Sequence, residues 1–177
     1  MSNYDVVLLV EQAFTAQDAL NVTLLHEEID EPVTYHVLLP VEDASARVES
    51  AIGALGGEVW STPSVHVEQD DIVELRKELL TNCREGVDAT IKAIQDAGGT
   101  AVGETVTIDP IRALAAKVEE VGAAEVIILT RPHLVADFFH VDWTSKARRK
   151  LGVPVLHLLE HENFDEQAGD GEGISGF

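Results

Sequence analysis

Residues 100–130, TAVGETVTIDPIRALAAKVEEVGAAEVIILT, contain a complete strand–helix–strand unit. Thr100 to Ile108 reads as a strand, with Val102 and Val106 in it. Asp109-Pro110 opens a helix. The aspartate side chain can accept from an orphan amide of the first turn, and proline at the first helical position has no amide to leave unsatisfied. Ile111, Leu114, Ala115 and Val118 then recur at helical spacing up to about Val121. Glu125 to Thr130 carries Val-Ile-Ile-Leu, a continuous apolar run that suits a strand buried on both faces. Strands joined by a helical crossover run parallel.

The same alternation extends in both directions. Upstream, Asp70-Asp71 open a long helix to about Ala97, with Ile72, Leu75, Leu79, Leu80, Val87, Ile91 and Ile94 as its apolar stripe and Gly98-Gly99 as its end. Before it come strands at Asp5–Val10, Tyr35–Val41 and, more weakly, Glu58–Val67. Helices are expected at Ala16–Glu28, with Ala19, Leu20, Val22, Leu24 and Leu25 inward, and at Ala44–Leu55. Downstream, Arg131 to Trp143 has no clean period, Thr144 to Leu151 reads as a helix, and Val153 to Leu159 as the last strand. Alternation of this kind predicts a three-layer α/β/α domain over residues 1–161, with a mainly parallel, doubly wound sheet. Residues 162–177 are acidic and poor in apolar side chains, and are expected to be a disordered tail.

Composition narrows the function classes. The chain has 177 residues, 45% apolar and 25% charged, the balance of a folded globular protein. Its net charge of −20 repels phosphate backbones and anionic lipid, so neither nucleic acid nor a membrane is expected as partner. No apolar run is long enough to span a bilayer. The lone Cys83 and an acid near the N-terminus point to a cytoplasmic protein, with Cys83 as a buried structural thiol.

From Thr34 to Glu160 the pattern resembles the universal stress protein family. Four pieces carry the resemblance, in order and spacing. They are Tyr35-His36-Val37-Leu38-Leu39-Pro40-Val41-Glu42-Asp43-Ala44-Ser45, the long helix followed by Thr100–Ile108 and Asp109-Pro110, the run Ala123 to Thr130, and Gly152-Val153-Pro154-Val155-Leu156. Residues 1–33 fall outside it and read as an extra N-terminal β-α unit whose place in the sheet is open. The resemblance implies a fold similar to the adenine nucleotide alpha hydrolases. It also implies a homodimer paired through the closing strand, Val153 to Leu159.

Many members of that family hold ATP on a loop patterned Gly, two residues, Gly, nine residues, Gly, then Ser or Thr. Here those places fall on Thr130, His133, Trp143 and Thr144, so only the final hydroxyl is kept. A large ring at 143 would block the close approach that glycine permits. Arg131, Lys146, Arg148, Arg149 and Lys150, five of the 12 bases, lie in the same stretch. They could face an anion, or simply oppose a helix dipole in solvent. Ligands of doubly wound sheets bind at the carboxyl ends of the strands where strand order reverses. The expected crevice lies between the ends of Tyr35–Val41 and Glu125–Thr130. Its lining would be Glu42, Asp43, Thr130, Arg131 and His133, with Thr144 and Ser145 at the following helix start.

Other constellations are weaker. His133, Asp137, His140 and Asp142 could ligate a metal, but match no metal spacing, and Phe138, Phe139 and Trp143 suggest a packed loop instead. No GxSxG elbow supports Ser45, Ser61, Ser64 or Ser145 as a nucleophile, and no catalytic residue is assigned. His36 and His157 read as satisfied sheet histidines. Two readings follow: a stress-protein-like regulatory module without standard ATP binding, or an ATP- or AMP-binding protein with a remodelled phosphate loop.

Overall fold

The computed structural model describes residues 3–41, 69–130 and 151–159. The elements in order are β1 (Tyr4–Val10), α1 (Ala16–Leu24), β2 (Val33–Pro40), α2 (Gln69–Asp96), β3 (Thr100–Val106), α3 (Pro110–Val121), β4 (Glu125–Thr130) and β5 (Val155–Leu159). The five strands form one sheet in the order β3-β2-β1-β4-β5, with every pairing parallel. The architecture is the expected α/β/α sandwich. The expected helix at 44–55, the strand at 58–67, the loop from 131 to 143, the helix from 144 except Leu151, and the acidic tail lie outside the described residues.

The N-terminal strand, left unplaced by the sequence, is the central one. It pairs with β2 on one side, Tyr4 opposite Val33, and with β4 on the other, Val10 opposite Leu129. Its last five residues, Val6 to Val10, are all buried. Val6, Leu8 and Val10 pack under α1 and α2 together with Tyr35, Val37, Ile127 and Val87. Val7 and Leu9 face the other layer, with Leu38, Ile128 and Leu114 of α3. Each such side chain contributes roughly 1.5–3 kcal/mol on burial.

The helices are bounded as their caps dictate. Asp109 accepts a hydrogen bond from the Arg112 amide at 2.8 Å, Pro110 follows, and Gly122 closes α3 in the left-handed region at φ 65°. Lys117 of α3 reaches Glu104 of β3 at 2.7 Å and Glu120 at 2.8 Å, and these bonds raise its pKa. Asp5 and His36 pair at 2.7 Å across β1 and β2, which satisfies the strand histidine. Cys83 is buried in α2, and its thiol donates to the Leu39 carbonyl at 3.3 Å. Burial pushes that thiol's pKa up.

The first helix departs from expectation in length and in face. It stops at Leu24, and residues 25–28 continue as turns, with amides of His26, Glu27 and Ile29 bonded three residues back. Ala19 and Val22 point inward, but Leu20, Leu24 and Leu25 are exposed. The reason lies at His26, which is buried. Its Nδ1 lies 2.8 Å from the Tyr35 hydroxyl and 3.0 Å from the Val22 carbonyl oxygen, while Nε2 meets the Glu125 carboxylate. The ring lies edge-on to Tyr35, with centroids 5.4 Å apart. Ala19, Val22 and His26 share a helical face, so fixing His26 against β2 and β4 turns the leucines outward. Burial, with the charge of Glu125, drives the Tyr35 hydroxyl well above the usual phenol range.

Two predictions follow from the packing. A Cβ on Gly103 would stand 2.8 Å from Val87 Cγ1 and 3.1 Å from the Val37 carbonyl oxygen. Gly103→Val forces β3 and α2 apart at a cost of about 1–3 kcal/mol, read as a lower urea midpoint at unchanged slope. Burial lowers the pKa of His157 in β5 below the ordinary 6.5. The unfolded chain then takes up a proton that the folded chain refuses. This contribution to stability is full above pH 6.5 and declines as pH falls from there toward the folded value. Unfolding free energies measured between pH 5 and 8 are expected to lose part of that slope in His157→Gln; an identical slope in both proteins contradicts it.

Candidate functional site

Strand order reverses between β1 and β4, because the chain adds β2 and β3 on one side of β1 and β4 and β5 on the other. The crevice was expected between the ends of β2 and β4. Those strands are not neighbours, since β1 lies between them. The switch point is therefore displaced by one strand: its walls are the segments after Val10 and after Leu129. Thr130 is the last residue of β4. Glu42 and Asp43 follow β2, one strand away, and they, Arg131, His133, Thr144 and Ser145 lie outside the described residues. The acid that follows the central strand is Glu11, not Glu42.

The wall after β1 is built from residues 11–18. Phe14 is buried, and its amide donates to Thr90 Oγ1 of α2 at 3.1 Å. The Thr90 hydroxyl in turn donates to the Gly86 carbonyl at 2.8 Å, so the loop is pinned to the long helix. Thr15 caps α1 and accepts from the Asp18 amide at 3.2 Å. The Asp18 carboxylate answers by accepting from the Thr15 amide at 2.8 Å and from its hydroxyl at 2.6 Å. This reciprocal box satisfies the Thr15 and Asp18 amides and sets a carboxylate at the helix start, where an anion would otherwise sit. Asp18 is 1% exposed, so the negative charge at the helix start is the protein's own.

This half of the crevice is thus acidic and internally bonded, with Glu11 beside it. The chain has no lysine or arginine before Arg47. The sequence reasoning missed Glu11, Thr15, Asp18 and Thr90. The Thr15-x-x-Asp18 spacing is a capping-box signal that could have found two of them. Thr90 had no sequence signal, since it acts through a loop 76 residues away. Among the described residues, no group of three or more His, Cys, Asp or Glu side chains could hold a metal ion, and the His133–Asp142 constellation lies outside them. No helix of the described residues is long and apolar enough to cross a membrane.

No family model matches the chain, and no curated protein sequence matches it. Solved structures do. The hypothetical protein MJ0577 superposes at a TM-score of 0.59, with 14% identity over 90% of this chain and 97% of that one. Universal stress protein UspA from Lactobacillus plantarum gives 0.54, with 12% identity over 89% and 99%. A universal stress protein family protein from Arabidopsis thaliana, with AMP bound, gives 0.51, with 12% identity over 92% and 94%. The likeness runs over about nine-tenths of the chain, wider than residues 34–160. With its five parallel strands in the order β3-β2-β1-β4-β5 between helical layers, the chain has the fold of the universal stress proteins.

Proposed function

We propose that this chain is a regulatory binding protein of the universal-stress-protein type that does not take ATP through a glycine loop. The observation that carries the reading is the amino end of α1 at the switch point, which is closed by the buried Asp18 carboxylate. A second carboxylate, Glu11, follows β1 on the same wall. By the resemblance, the places of the three loop glycines hold Thr130, His133 and Trp143. A carboxylate at the helix start and the missing glycines both disfavour a polyphosphate. The protein then acts through contacts with other chains in the cytoplasm. As a homodimer it would pair through Val153 to Leu159, whose β5 is a terminal strand of the described sheet.

A second reading keeps a nucleotide, with Arg131 and the bases of 146–150 replacing the glycine cradle. Five of 12 bases in twenty residues favour it, as does the AMP bound by the similarly folded Arabidopsis thaliana protein. The two readings separate by calorimetry. Titration of the full chain with ATP and with AMP, each with magnesium, is expected to give no binding heat. A submillimolar Kd for either overturns the first reading, and loss of that binding in Arg131→Ala establishes the second.

A further inference from the structure

At the amino end of the strands, opposite the crevice, α1 and the carboxyl end of α2 enclose a groove of about 490 Å³. Leu20, Leu24, Pro32 and Ala97 supply its apolar lining. Leu20 and Leu24, four apart on α1, are 43% and 48% exposed. They are the leucines turned outward by the anchoring of His26. Several of the polar atoms here are already bonded within the protein. His26 is bonded to Tyr35, Val22 and Glu125. Thr23 Oγ1 donates to the Ala19 carbonyl at 2.9 Å, and the Gly98 and Gly99 amides donate to the Gln95 and Ile94 carbonyls. Leu20, Leu24, Pro32 and Ala97 offer an occupant apolar contact, and Glu27 a carboxylate at its edge.

The rim has one sign of charge. Glu27, Glu28, Asp30 and Glu31 are exposed along the turn that follows α1. Glu27, Glu28 and Asp30 enter no ion pair among the described residues. In the last turns of α2, Lys92 is taken by Asp96 at 2.6 Å. An apolar trough edged by unpaired carboxylates complements a helix with an apolar face and basic flanks. We propose that this groove docks a basic amphipathic helix of a partner protein. The helix would lay its aliphatic side chains on Leu20, Leu24 and Ala97 and its lysines or arginines against Glu27, Glu28, Asp30 and Glu31. The surface lies at the opposite end of the sheet from the ligand crevice and does not depend on the reading given to that crevice.

The probe is a fluorescein-labelled helical peptide of leucine and lysine, its leucines on one face, with a second peptide of the same composition whose leucines are scattered. Anisotropy titrations use the full chain at roughly 0.15 M salt, where long-range attraction is screened. The amphipathic peptide is expected to bind at micromolar Kd, at least about tenfold tighter than the scattered one. Leu20→Ser with Leu24→Ser, at positions already exposed, is expected to weaken it about tenfold while the circular dichroism spectrum stays unchanged. Glu27→Gln, Glu28→Gln and Glu31→Gln together are expected to weaken it similarly and flatten its salt dependence. Equal binding of both peptides, or no effect of the leucine changes, reduces the result to general attraction by an acidic surface and overturns the proposal. Absence of binding at roughly 1 mM overturns it as well. A dimer in sedimentation that the leucine changes abolish assigns the face to a second copy of the chain, and also overturns it.

Discussion

The five consecutive buried residues Val6 to Val10 place everything else. A strand apolar on both faces must have a neighbour on each side and a helical layer above and below. β1 meets all four conditions, with β2 and β4 beside it, α1 and α2 on one face and α3 on the other. Its central position also sets where strand order reverses, and so where a ligand crevice opens. Had Tyr35–Val41 taken the centre, the crevice would have been lined by Glu42 and Asp43. Because β1 takes it, Glu11 and the Thr15–Asp18 cap stand at the switch point.

The two ends of α1 then do different things. At its amino end the cap and the Phe14–Thr90 bond hold the loop of the switch point rigidly and keep its donors for internal use. Beyond its carboxyl end the His26 side chain reaches Tyr35 of β2 and Glu125 of β4, which ties the helix to two strands at once. One buried imidazole therefore fixes the rotation of the helix. The inward face takes Ala19, Val22, Asp18 and Asn21, and the larger leucines are left on the surface beside an acidic turn. The resulting molecule has two distinct faces: a polar, self-bonded crevice at the carboxyl ends of the strands and an apolar trough at the amino ends.

Local signals were read well where neighbouring residues alone enforce them. Asp109 and Pro110 bound α3 as their side-chain chemistry requires, and the runs at 5–10 and 125–130 are strands because their apolar side chains fill both faces. The histidine in β2 was legible as a satisfied group, and its partner Asp5 lies 31 residues away on the adjoining strand. The inward face of α1 was not legible. Five apolar residues there allow more than one helical stripe, and hydrophobicity alone favours the larger leucines over alanine and a histidine.

The sequence by itself determined the element order, the parallel α/β class and the overall acidity. These follow from period, composition and spacing along one chain. Only the tertiary structure decided which strand is central, and with it that Glu11 and the Asp18 cap stand at the switch point. It also decided which face of α1 is buried. Both depend on pairings between residues far apart, Val10 with Leu129 and His26 with Glu125, whose free energy exists only once the strands are side by side.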